Sequence, residues 1–214
     1  MTETVDTERA AEILTAVCLA MEEAKGRLNE LDSAVGDGDS GISLSYGFRA
    51  VREGLAEHPQ DVGKTLMQAG VRFADAAGAT IGALLSTAFL RAGKEVQGRS
   101  EVGLPELARM VAAAEKGIRE RGKAQPGNKT MLDALAPAAA ALETAAGEGV
   151  SLEEALARAV AAAEQGALAT ANMVAGFGRS RWLGERTLGH QDPGATAVYL
   201  ILRSAAEALA RPEG

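Results

Sequence analysis

Three carboxylates crowd the stretch Leu31-Asp32-Ser33-Ala34-Val35-Gly36-Asp37-Gly38-Asp39-Ser40-Gly41. Asp32, Asp37 and Asp39 stand at i, i+5 and i+7, with glycines between them. Carboxylates that close repel one another unless a cation sits among them. Their oxygens suit a hard ion, Mg2+ or Ca2+, and no soft-metal ligand accompanies them. The glycines permit positive φ and a close approach of backbone to ligand. The competing reading is a solvated acidic turn that caps the next helix. An EF-hand is a poor match, because it needs a Glu at the twelfth loop position and more oxygen-bearing residues.

Three further glycine loops carry unusual chemistry. Gly78-Ala79-Thr80-Ile81-Gly82 precedes an apolar stretch. Small residues at a helix start can offer backbone N–H groups to an anion; close helix packing explains them equally well. Gly122-Lys123-Ala124 and Gly127-Asn128-Lys129-Thr130-Met131 form the next loop. Thr130 is a helix cap or a phosphate contact, and the lysines read as ordinary solvated charges. The last loop, Gly178-Arg179-Ser180-Arg181-Trp182-Leu183-Gly184-Glu185-Arg186, holds the only Trp and three Arg. Clustered Arg in an acidic chain points to an anion, and the guanidinium fork fits phosphate. Asp192-Pro193 is a helix start in its own right. His190 is a general base or an exposed structural residue, and His58 a helix-end surface residue. Cys18, on an apolar stripe, belongs to the core. Trp182 either stacks on an adenine or plugs the end of a bundle. The sequence contains no Walker loop, Rossmann fingerprint, nucleophile elbow or kinase-type glycine loop.

The elements that position these loops are helices. The chain has 214 residues, a net charge of −7, 47% hydrophobic residues and only 3% aromatic. Abundant Ala with few aromatics implies helices packed closely through small side chains. The acidic balance argues against nucleic-acid binding. A single Cys excludes an internal disulfide. No apolar run reaches the ~18 residues of a membrane span. The N-terminus does not read as a signal peptide, and a cytoplasmic location is expected. Apolar spacing predicts a helix over 7–30, carrying Leu14, Cys18, Met21 and Leu28. A second runs from about Ser43 to Glu57 and ends at His58-Pro59. A third begins at an Asp61 cap and passes Phe73 and Ala74, and a fourth covers Leu84 to Ala92. Residues 97–104 read as a loop. Further helices are expected at Pro105–Arg121, Thr130–Ala146 with Pro137 inside, 151–173 from a Ser151/Glu154 capping box, and Asp192–Arg211. The expectation is an all-α, up-and-down antiparallel eight-helix barrel or bundle, with residues 1–214 as a single domain. In such a fold alternate loops fall at one end. The four glycine loops follow the first, third, fifth and seventh helices, so they should meet at one rim.

In this order the loops resemble the nucleotide-binding L subunit of dihydroxyacetone kinase, equivalent to the C-terminal domain of single-chain dihydroxyacetone kinases. The resemblance rests on Leu31-Asp32 with Gly36-Asp37-Gly38-Asp39, and on Gly127-Asn128-Lys129-Thr130-Met131 with Asp133-Ala134-Leu135. Gly178-Arg179, Leu183-Gly184-Glu185-Arg186 and Gly189-His190-Gln191-Asp192-Pro193-Gly194-Ala195 complete it. The ordered set covers nearly the whole chain.

The resemblance implies a barrel of eight amphipathic helices with ADP or ATP at one rim. Asp32, Asp37 and Asp39 would hold two Mg2+ ions that bridge the phosphates. Ser40, Gly41, Ile42 and Ser43 would contact the phosphates, as would Thr80, Ile81 and Gly82. Gly122, Thr130, Met131 and the Asp192-Pro193-Gly194 turn would line the nucleotide, and Arg179 would complete the pocket. The acceptor, dihydroxyacetone or a similar short ketose, would be held by a separate K subunit. A phosphoryl-carrier M subunit is a further implied partner. Two positions depart from the family pattern. Ser40 stands where subunits of the phosphoenolpyruvate-dependent system typically carry His, and Thr80-Ile81-Gly82 where many carry Ala-Ser-Gly. Both bear on the phosphate donor and the substrate. Two alternatives remain: ADP retained as a coenzyme and recharged by a phosphoryl carrier, or a non-catalytic nucleotide-binding regulatory module.

Overall fold

The computed structural model describes residues 4–55 and 61–211. Its order is β1 (Val5–Asp6), α1 (Thr7–Glu23), α2 (Lys25–Val35), α3 (Ser40–Gly54), α4 (Val62–Ala76), α5 (Ala79–Glu95), β2 (Glu101–Val102), α6 (Leu104–Gly122), α7 (Leu132–Glu148), α8 (Leu152–Ala169) and α9 (Pro193–Leu209). Short 3-10 segments cover Thr170–Asn172 and Arg179–Thr187. The expected all-α class holds. Around the molecule α1 packs on α3, α3 on α4, and so on through α9, which returns to α1. Eight staves therefore close a ring.

The first stave differs from expectation. The helix foreseen over 7–30 ends at Ala24 and resumes as α2, giving nine α-helices among the described residues. Periodicity gave no sign of the break, because apolar spacing continues across it. The start of α3 is what crowds this point: a Cβ at Gly41 would lie 2.2 Å from the Lys25 carbonyl oxygen. The stretch foreseen as a loop at 97–104 contains β2, which pairs antiparallel with β1 through Val5–Val102 and Asp6–Glu101. Two-residue strands are too short to show an alternating pattern. The proposed stop at His58-Pro59, and His58 itself, lie outside the described residues.

Several helix starts follow their caps. Asp61, Ser151 and Asp192 each accept a hydrogen bond from the backbone N–H three residues on. Pro137 lies within α7 without ending it.

Small residues set the packing. Ala134, Ala138 and Ala145 of α7 and Ala155, Ala159 and Ala163 of α8 are fully buried. The closest approaches use glycine: a Cβ at Gly166 of α8 would lie 2.1 Å from the Asp133 carbonyl oxygen. A second cluster holds Cys18, Met21, Leu28, Leu44, Phe48 and Phe73. Phe48 and Phe73 meet edge to face at 5.0 Å. Leu66, Ile81 and Tyr199 touch both clusters, so one apolar interior runs round the ring.

The ends of the ring are distinct. At one end β1 meets β2, the Arg9 guanidinium donates to the carbonyls of Ala208 and Leu209, and the Val62 N–H donates to Arg99 O. At the other lie the connections after α2, α4, α6 and α8. No described helix is long and apolar enough to cross a membrane.

Candidate functional site

Asp32 sits in the last turn of α2 and is 6% exposed. Its Oδ2 accepts the N–H groups of Asp39 and Ser40 at 2.9 and 3.0 Å. This folds the loop back over the end of α2. The tightness needs glycine: a Cβ at Gly36 would lie 2.4 Å from Asp32 Oδ1, and Gly38 has φ +79°. Asp39 occupies the N-cap of α3 but makes no capping bond. Asn29 of α2 supplies one instead, its Oδ1 accepting the Ile42 N–H at 3.1 Å. The capping of α3 thus falls to Asp32, through the Ser40 N–H, and to Asn29, while Asp39 makes no capping bond. Asp32, Asp37 and Asp39 each bring one carboxylate oxygen within 4.8 Å of the others. A cation among such like charges relieves their repulsion, and their hard oxygen donors would suit magnesium. The Arg179 guanidinium forms an ion pair with Asp37.

The four connections at this end line one cavity of about 210 Å3. Asp32, Asp37, Asp39 and Ser40 form one side, and Thr80 and Ile81 at the start of α5 the next. Gly122, Thr130 and Met131 follow, and Arg179 with Asp192, Pro193 and Gly194 closes the circle. The sequence-based convergence of the loops is thus present. Four expected contacts do not line the cavity. Gly41 is pressed against α2, the Ile42 N–H is taken by Asn29, and Ser43 is buried with its N–H on Asp39 O. Gly82 lies where a Cβ would meet Ala77 O at 2.4 Å. In this arrangement these four shape the loops behind the cavity wall.

The DAK2 domain model matches residues 34–207, from the acidic loop to the last helix. The chain belongs to the DAK2 domain family. It is 38% identical over 177 residues to the ADP-binding subunit DhaL of the PEP-dependent dihydroxyacetone kinase of Escherichia coli (strain K12), covering 82% of this chain and 84% of that subunit. It is 35% identical over 204 residues to the human triokinase/FMN cyclase, covering 94% of this chain but 35% of that protein. The dihydroxyacetone kinase of C. freundii, solved in complex with AMP-PNP and Mg2+, superposes with a TM-score of 0.70 at 26% identity. That match covers 97% of this chain and 35% of the kinase, so the chain spans about a third of that longer protein.

Two residues of this DAK2 chain stand differently from their sequence reading. Lys129, expected as a solvated charge, is 2% exposed. Its Nζ donates to the carbonyl oxygens of Thr170, Met173, Thr187 and His190 at 2.7, 3.2, 2.7 and 2.6 Å. The loop it stands on is held by Asp133, whose carboxylate accepts the Gly127 N–H and, at 2.7 Å, the Thr130 N–H. No composition or spacing signal separates a buried Lys from a solvated one; its φ of +59° is visible only in three dimensions. Trp182, expected as a stacking or plugging residue, is 79% exposed, with Arg181 over its ring at 4.5 Å. It does not plug the bundle end. His190 is exposed; its carbonyl accepts from Lys129 and its backbone N–H donates to Thr187 O. Thr130 takes up the Leu132 N–H at 3.3 Å.

Asp192 supplies the electrostatic anomaly of the cavity. Burial pushes its carboxyl up to about 7, against the Ala195 N–H that it accepts; Asp133 adds to the rise and Lys129 opposes it. The folded pKa lies above the unfolded value, so the unfolded chain gives up this proton first. The contribution to stability is full below pH 3.8 and is lost as pH rises to about 7. In metal-free buffer, chemical denaturation should therefore show wild type losing stability relative to Asp192→Asn across that window. Asn keeps an oxygen for the cap. Parallel pH profiles for the two proteins would remove the assignment.

Proposed function

We propose that this chain is the nucleotide-binding subunit of a dihydroxyacetone-type kinase and acts as one domain. It holds ADP or ATP with magnesium at the rim and delivers the terminal phosphoryl group to a short ketose on a separate K subunit. The observation that carries this reading is the meeting of three carboxylates, one oxygen from each within 4.8 Å, in the wall of a cavity that Arg179 also lines. The DAK2 family membership and the AMP-PNP and Mg2+ of the C. freundii complex support it.

Asp32, Asp37 and Asp39 would hold the metal, which when bound neutralises phosphate charge and orients the phosphoryl group. The chain's own contribution is placement. Asp32 fixes the loop through the two backbone amides. The start of α5 lines the cavity through Thr80 and Ile81, where the free N–H groups of a helix N-terminus would suit an anion. Arg179 brings a planar cation that can pair with two phosphoryl oxygens at once. Met131, Pro193 and Gly194 give the cavity an apolar and close-fitting side. No general base is needed from this chain.

The decisive experiment is calorimetric titration of the purified chain with ADP, with and without Mg2+. Binding that requires the metal, at two ions per nucleotide, is the expected result. Equal ADP binding without any divalent ion would overturn the reading. The match over 84% of a stand-alone ADP-binding subunit favours a second form of it, in which ADP stays bound and is recharged in place. Mass spectrometry of the natively purified protein separates the two forms: retained ADP that does not exchange with free ATP identifies the coenzyme form.

A further inference from the structure

Lys129 stands on one side of the rim and the segment carrying Arg179 on another. The four carbonyls that receive its ammonium come in two pairs. Thr170 and Met173 precede Arg179 in the chain, and Thr187 and His190 follow it. One cation therefore gathers both feet of a surface loop, and the span between them carries Arg179, Arg181 and Trp182. An ammonium has three N–H donors, so four acceptors require one of them to be shared. Four carbonyl dipoles aimed at one point repel one another when that point carries no positive charge. Weaker ties run beside it: Gly189 N–H to Ala171 O at 2.8 Å, Ala175 N–H to Thr187 Oγ1 at 3.0 Å, and Gly176 N–H to Asn128 O at 3.2 Å. The base from which Lys129 projects is rigid, because Asp133 pins the backbone on both sides of it. The nearby Asp192 offsets the charge and belongs to the cavity wall.

We infer that Lys129 is a positioning residue: its ammonium, seated in a cage of four carbonyl oxygens, holds the loop that presents Arg179 to the cavity. It acts through the loop, since its donors are committed to carbonyls. The effect on nucleotide binding rests on the nucleotide-site reading above; the effect on the loop does not.

The test uses the full chain. Lys129→Met keeps most of the side-chain volume and removes charge and donors. Lys129→Ala leaves a slot that propylammonium matches from Cγ to Nζ. Two properties are read without nucleotide. One is tryptic cleavage after Arg179, Arg181 and Arg186, and the other the fluorescence anisotropy of Trp182, the only Trp. The affinity for ADP with Mg2+ is read separately. In both variants cleavage at these three sites should quicken and anisotropy fall, while ADP affinity drops about tenfold or more, because the same tether also seats Phe177, Gly178 and the Asp192-Pro193-Gly194 turn in the cavity wall. Propylammonium should restore loop and affinity in Lys129→Ala and change nothing in wild type or in Lys129→Met. A Lys129→Met protein with wild-type cleavage and anisotropy overturns the inference. So does cleavage that quickens equally at every Lys and Arg, which marks a merely structural role. Should wild type bind no ADP, the nucleotide reading falls, and cleavage with its rescue still decides the role of Lys129.

Discussion

Asp37→Ala is expected to abolish magnesium-dependent ADP binding and to leave the fold intact. The two halves of that expectation come from the same geometry. Asp37 is exposed, and its one ion pair among the described residues is with Arg179, also exposed. Exposed pairs contribute little to stability, so the melting temperature should stay near wild type. The proposed metal site, by contrast, rests on three carboxylates among the described residues. Losing outer-shell partners already weakens metal sites by about 10–100-fold, and a directly coordinating group should cost at least as much. Calorimetry with ADP and Mg2+ checks the first half and thermal unfolding the second. Unchanged magnesium-dependent binding would remove Asp37 from the site. Asp32→Ala provides the contrast. Its carboxylate also accepts the Asp39 and Ser40 N–H groups. That variant should lose binding together with about 1–3 kcal/mol of stability, the usual cost of stranding such donors.

How far the sequence carried this site depends on the kind of interaction involved. The convergence of the glycine loops was legible because it follows from helix count and alternation, and the break at Ala24 does not disturb it: α2 adds to the first stave without moving the next loop to the other end. The caps at Asp61, Ser151 and Asp192 were legible because capping is local. Contacts between elements were not. Gly41 and Gly82 read as phosphate-loop glycines, yet a Cβ at either would strike a neighbouring carbonyl, which only the packed structure reveals. Lys129 is the sharpest case. A lysine in a glycine loop is ordinarily solvated, and its burial depends on carbonyls up to 61 residues away. Trp182 departs in the opposite direction: residue type suggested a plug for the bundle end, and the structure leaves the ring in solvent.

Arg179→Ala should separate holding a nucleotide from using it. The Arg179 guanidinium lies on Asp37. A metal ion at the three carboxylates competes with it for that oxygen, so removing the arginine should leave Mg2+ affinity equal or higher. Turnover should move the other way. A cation aimed at developing phosphoryl charge supplies about 10²–10³-fold or more in kcat, and that is the expected loss with the K subunit and a short ketose present. Arg179→Lys keeps the charge without the fork and should recover only part of the rate. The comparison with Asp37→Ala makes the result decisive. If Arg179→Ala instead loses metal-dependent ADP binding to the same extent, the arginine is a holding group. If turnover is unaffected, the ion pair with Asp37 is all that Arg179 contributes. The opposed signs, metal affinity kept and turnover lost, follow only if the guanidinium leaves Asp37 for the phosphoryl group when the metal binds.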